Sequence, residues 1–234
     1  MGEAKKKLKV YCETSFWSWL VSRPSTDPDH AVKQAWTRKW WAEAAPKCEI
    51  YISEHVLAEA ARGDTEQSQL RLAVLDGKHE LDGSTPDIDA LATALLSDSA
   101  LPKDEVTDAH HIATAAIRGM DVLLTWNCRH LANRFALPKT DCSRDQGWVS
   151  MPRHRHARKL HEGGSGMKVK EDDPIMDEVY TVRHEISSRF GNDPKRYIES
   201  IREMKRRASA TGLSFLEYCR SIVGTDAFLP VHGL

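Results

Sequence analysis

Apolar and polar positions along this chain fall into short strand-like runs separated by longer stretches of helical spacing. Leu8 to Cys12 (LKVYC) alternates and is rich in strand formers, which predicts a first strand. Glu49 to Ser53 predicts a second and His79 to Leu81 a short third. Val122 to Thr125, uniformly apolar, predicts a fourth that is central and buried. Between them lie helical patterns. Thr14 and Ser15 are placed to cap a helix over Phe16–Val21. Val32, Trp36, Trp40 and Trp41 recur within a helix over His30–Ala45, ended by Pro46. Further helices are predicted over Val56–Arg62, closed by Gly63, and over Glu66–Leu75, closed by Gly77. Others follow over Pro86–Leu96, over Glu105–Arg118 with Asp104 as cap, and over Cys128–Phe135. Strands alternating with helices imply an α/β sandwich: a central parallel sheet of four or five strands with helices on both faces. Ligands of such sheets gather beyond the carboxyl ends of the strands.

The pattern changes after Phe135. Pro138 to Pro152 lacks periodicity, apart from a candidate strand at Trp148–Ser150. Arg153 to His161 (RHRHARKLH) is basic and reads as a solvated linker, with RNA-backbone or adventitious metal binding as the alternatives. Gly163 to Gly166 is a flexible linker by composition, and Met167 resembles a fresh start, as though two reading frames had been joined. The segment beyond it predicts a small helical module. One helix spans Pro174–Phe190, with Ile175, Val179, Val182 and Ile186 on one face. A second starts at Pro194 behind the cap Asp193, runs through Ile198, Ile201 and Met204, and ends at Lys205-Arg206-Arg207. Phe215, Leu216, Tyr218 and Ile222 mark a last short helix. The expected division is residues 1–150, an α/β domain; 151–166, a linker; and 167–234, a helical appendage.

Composition narrows the function classes. A length of 234 residues suits one good core plus an appendage. A net charge of −1 argues against a nucleic-acid-coating role and fits a transient contact through local positive charge. The five cysteines are widely spaced, with no CxxC pair, so reduced thiols in a cytoplasmic protein are expected rather than a zinc knuckle or disulfide framework. No apolar run approaches the roughly 20 residues of a membrane span, and the basic start leads straight into a strand rather than an export signal. Walker loops, dinucleotide fingerprints and serine elbows are absent from the sequence.

Three carboxylates stand where the sheet rule points. Glu13 follows the first strand, Glu59 lies in the helix after the second, and Asp108 lies in the first turn of the helix before the fourth. Asn127 follows the fourth strand and offers an amide oxygen at the same edge. Two carboxylates about 4 Å apart repel by roughly 4 kcal/mol at an effective dielectric near 20. A bound Mg²⁺ or Mn²⁺ relieves that conflict, since oxygen donors suit hard ions, and phosphodiester hydrolysis follows most naturally. Each acid alone has an ordinary reading: a strand-end acid, an exposed helix acid, a group favoured by a helix N-terminus. Only their convergence makes a site. His110 and His111 read as packing or helix-surface residues, and the early tryptophans as core, with a dimer face or base stacking as the alternative. Arg129 is balanced between a phosphate contact and a solvated cation.

Four segments in this order and spacing resemble the PIN-domain family, and within it VapC-like toxins of type II toxin–antitoxin systems: VYCETSF at 10–16, ISEHVLAE at 52–59, TDAHHIATA at 107–115 and LLTWNCRH at 123–130. The resemblance covers about the first 135 residues. It implies a Mg²⁺- or Mn²⁺-dependent endoribonuclease with RNA as substrate and a homodimeric state. Glu13 then stands in for the usual first aspartate, Glu59 for the second acid and Asp108 for the third. Thr14, Ser15 and Thr125 fall at hydroxyl positions near the metal. Asn127 replaces a fourth aspartate, which weakens the hold on a second metal. Residues 167–212 resemble an antitoxin-like partner, in cis or from a neighbouring chain, that docks on the nuclease and restrains it. The rival expectations are a catalytically silent binding module and a nuclease acting on DNA.

Overall fold

The computed structural model describes residues 7–97, 101–103, 105–127, 148–150 and 174–225. Strands β1 (Leu8–Cys12), β2 (Cys48–Ser53), β3 (His79–Leu81), β4 (Val122–Leu124) and β5 (Trp148–Ser150) form one sheet in the order β3-β2-β1-β4-β5. The first four are parallel, and β5 runs antiparallel to β4. The expected central parallel sheet is thus present as four strands, and the fifth joins antiparallel at one edge, the usual place for such a strand on a parallel sheet. Central β1 carries Val10, Tyr11 and Cys12, all fully buried. Val10 is in register with Ile50 on one side and Val122 on the other, so the carboxyl ends of β1, β2 and β4 come together.

The helices of the α/β part are α1 (Thr14–Val21), α2 (Pro28–Glu43), α3 (Glu54–Ala60), α4 (Thr65–Val74), α5 (Pro86–Ser97) and α6 (Val106–Ile117). Thr14 and Ser15 are not caps; they form the first turn of α1, and Glu13 takes the cap position in extended backbone. Helix α2 starts before the expected His30. Pro28 occupies its first turn, and Asp27 accepts from the amides of Asp29 at 2.9 Å and His30 at 3.1 Å. Trp17, Trp19 and Trp40 are buried, as core packing requires, whereas Trp36 is exposed. Asp104, the helix over Cys128–Phe135, Arg129, the basic run at 153–161 and the linker at 163–166 lie outside the described residues.

The C-terminal segment forms α7 (Pro174–Arg189), α8 (Pro194–Thr211) and α9 (Phe215–Ile222). Helix α8 continues past the basic triplet and stops at Gly212, whose φ of 74° suits glycine. Helix α7 packs on α1, α3 and α6; α8 on α3 and α5; α9 on α3 and α4. Val182, Ile186, Phe190, Tyr197, Ile201 and Met204 join the same core as the sheet and its helices. Met176 is buried at the start of the α7 stripe, where Ile175 is only half-buried. Among the described residues no helix is long and apolar enough to cross a membrane. Cys12, Cys48 and Cys219 are free thiols.

Candidate active site

Local chain geometry aims each predicted side chain at one point. The Glu13 amide donates to the Leu124 carbonyl at 3.2 Å, which fixes the end of β1 beside the end of β4. Helix α3 starts directly after β2 and carries Glu59 in its last turn, while Asp108 lies in the first turn of α6. Glu13, Glu59, Asp108 and Asn127 are all buried at 2% exposure or less, so none is the solvated surface acid of the ordinary reading. Ser15 Oγ donates to Glu13 Oε1 and accepts from the Trp126 amide at 2.8 Å. Thr125 Oγ1 accepts from the Asn127 amide at 2.8 Å, and Asn127 Nδ2 donates to Asp108 Oδ2 at 2.8 Å. Thr14 is buried against the same cluster, but its hydroxyl has no partner among the described residues. The structure thus brings together all seven predicted site residues.

At their centre stands Arg183 from α7, a residue that pattern reading passed over. Its Nε donates to Glu59 Oε1 at 3.0 Å and its Nη2 to Glu59 Oε2 at 3.2 Å, a side-on bidentate pair. Nη2 also donates to Glu13 Oε2, and Nη1 lies 2.6 Å from Asp108 Oδ1. Burial alone would lower the Arg183 guanidinium, but Asp108, Glu59 and Glu13 hold it well above its ordinary value, so it stays charged. Burial would likewise raise the Glu59 carboxyl. Arg183 and His111 outweigh that and hold it far below the usual carboxylate range. Tyr180, one turn earlier on α7, donates to Asn127 Oδ1 at 3.3 Å. The signal available in the sequence was a charged residue, Arg183, set between Val182 and Ile186 on the apolar stripe.

His111 also belongs here. Its Nε2 lies 3.1 Å from Glu59 Oε2 and its Nδ1 2.8 Å from the Tyr11 hydroxyl, which in turn lies 2.7 Å from Ser53 Oγ. One consistent direction of donation runs from Ser53 through Tyr11 and His111 to Glu59. His110 faces away, donating from Nδ1 to the Val106 carbonyl at 2.8 Å, and burial pushes it down to about 3. Both histidines are fully buried, which removes the helix-surface reading.

The donor set suits a hard divalent cation. One ligand atom each from Glu13, Glu59 and His111 lies within 4.8 Å of the others, and Asp108 closes on the same guanidinium through Nη1. The positive charge of Arg183 marks where a cation is demanded. A family match to the PIN domain spans residues 10–132 and takes in every one of the predicted site residues. The chain belongs to the PIN-domain family. PIN domains are generally metal-dependent nucleases that bind divalent ions, and the buried group of Glu13, Glu59 and His111 could hold one here. No curated protein and no solved structure matches the chain.

Proposed function

We propose that this PIN-domain protein is a Mg²⁺- or Mn²⁺-dependent endoribonuclease of toxin type, restrained by its own antitoxin-like C-terminal helices. The observation that carries the reading is Arg183, a buried cation supplied from outside the PIN domain and bound by all three carboxylates. Glu13, Glu59 and Asp108 would hold the metal, with Ser15 orienting Glu13 and Asn127 orienting Asp108 through its Nδ2 proton. When bound, the ion supplies Lewis acidity toward a phosphodiester and lowers the pKa of a coordinated water. His111 keeps the Glu59 carboxylate aimed and ionised. Asn127 at this position donates to Asp108, where a fourth aspartate would add repulsion. Arg183 and a metal ion compete for the same oxygens, so α7 must leave before the metal is held.

Cleavage of a structured RNA with added Mn²⁺ should be low in the full chain and rise at least roughly tenfold in Arg183→Ala, with Glu13→Gln or Asp108→Asn abolishing it in that background. Full activity in both acid variants would defeat the assignment. Labelled RNA and DNA substrates run side by side decide between the two nucleases. Complete pairing of the cluster by Arg183 also favours the second reading, a catalytically silent module; it predicts that Arg183→Ala binds Mn²⁺ yet cuts neither polymer.

A further inference from the structure

Helix α7 carries a second charge into the domain. Glu178, five residues before Arg183, sits in a notch made by the α3–α4 turn and α4. Its Oε1 accepts from the Asp64 amide at 3.2 Å and from Arg71 Nη1 at 3.1 Å and Nη2 at 3.2 Å. Gly63, at φ 81°, forms the wall; a Cβ there would fall on the Glu178 carboxylate. Arg71 is 3% exposed and pre-set by the chain itself, with Nε donating to the Ala60 carbonyl at 3.1 Å and Nη2 to the Arg62 carbonyl. The notch is therefore a built anion site: a locked, buried guanidinium, an aimed backbone amide, and a glycine that lets the anion approach.

The notch is continuous with the acidic centre. One small cavity is lined by Arg71 and Glu178 of the notch, by Glu59 of the acidic centre and by Thr14 and Ser18, with Val179 and Val182 of α7 completing it. The hydroxyls of Thr14 and Ser18 are buried there and have no hydrogen-bond partner among the described residues. Unpaired buried hydroxyls beside a cation-lined notch suit an acceptor-rich ligand that α7 does not reproduce.

We infer that the Gly63–Asp64–Arg71 notch is a phosphate subsite for the nucleic-acid backbone next to the scissile bond, and that Glu178 imitates that phosphate when α7 is docked. The inference rests on the nuclease reading, and it gives α7 two roles at once. Arg183 takes the place of the cation and Glu178 the place of the substrate's neighbouring anion.

The test uses the full chain carrying Glu178→Ala, which empties the notch and leaves Arg183 in place. Inorganic phosphate is titrated while the Asp64 amide is followed by NMR. A saturable shift is expected in Glu178→Ala and is expected to need at least about tenfold more phosphate in the wild type. Arg71→Gln in the Glu178→Ala background should remove the shift; if that variant does not fold, the Asp64 signal of Glu178→Ala alone decides. In the released background Glu178→Ala/Arg183→Ala, Arg71→Gln should lose about tenfold in kcat/KM toward RNA, with the loss falling in KM. Cleavage with an unmoved Asp64 amide and an unchanged KM overturns the phosphate subsite and leaves the nuclease standing. Phosphate binding without cleavage of any polymer leaves the subsite standing and removes the nuclease.

Discussion

At the scale of single residues the molecule turns on Arg183. Removing one partner of a buried ion pair costs about 3–5 kcal/mol because the remaining charge is left unpaired. Here three carboxylates would be left facing one another. Arg183→Ala should therefore either release α7 or draw in a cation. Calorimetry should find Mn²⁺ binding to Arg183→Ala at least about tenfold tighter than to the wild type; equal affinities would mean that Arg183 does not occupy the metal's place. Asn127 makes the complementary case. Asn127→Asp loses the donor that meets Asp108 Oδ2 at 2.8 Å and adds a negative charge. In the Arg183→Ala background it should tighten Mn²⁺ binding by about tenfold, since ligand charge count sets affinity for hard ions.

At the scale of elements, helix α8 meets the α/β part through His55. The ring lies 3.0 Å from the Tyr197 hydroxyl at Nδ1 and 3.0 Å from the Gly83 carbonyl at Nε2, and burial lowers its pKa from the ordinary value. Below about pH 6.5 the unfolded chain takes up a proton that the folded ring resists. Stability should therefore fall as pH drops from about 6.5 toward the lowered folded pKa. Thermal melts at about pH 7 and about pH 5 should show this loss, with a smaller difference in His55→Gln; an identical slope in the variant would exclude His55 as a source. The sheet and most helices were legible in the sequence because period and punctuation act locally: Gly63 and Pro86 stop and start helices through their own backbone preferences. The acidic set was legible because the α/β rule specifies which strand ends meet. Arg183 and His111 were not. What makes each functional is a partner more than fifty residues away; on its own helix His111 reads as an ordinary packing position, and Arg183 as a charge on an apolar stripe whose partners the local pattern does not indicate. The direction of β5 was equally hidden, since an edge strand of three residues can pair either way.

At the scale of the whole molecule, the appendage is bound by a buried centre and an ionic rim. Arg62–Glu185 at 3.0 Å, Arg202–Asp89 at 2.6 Å and Lys205–Asp82 at 3.2 Å are solvent-accessible pairs that salt will screen. The Arg183 cluster is shielded from that screening. Raising salt should therefore loosen the rim without switching on the nuclease, whereas Mn²⁺ should raise the melting temperature of Arg183→Ala and leave the wild type almost unmoved. A rise of equal size in both proteins would show that metal and α7 do not exclude one another.

Helix α7 packs on α1, α3 and α6 and joins the common core through Val182 and Ile186, within one covalent chain. The restraint proposed above would, for such a segment, be a unimolecular equilibrium, governed by an effective local concentration rather than by the amount of protein in solution. Dilution, which frees an enzyme from a separate inhibitor, has no purchase on it. On that proposal specific activity should be flat across protein concentration, and waking the enzyme would take cutting, displacing or unfolding the helices from Pro174 onward.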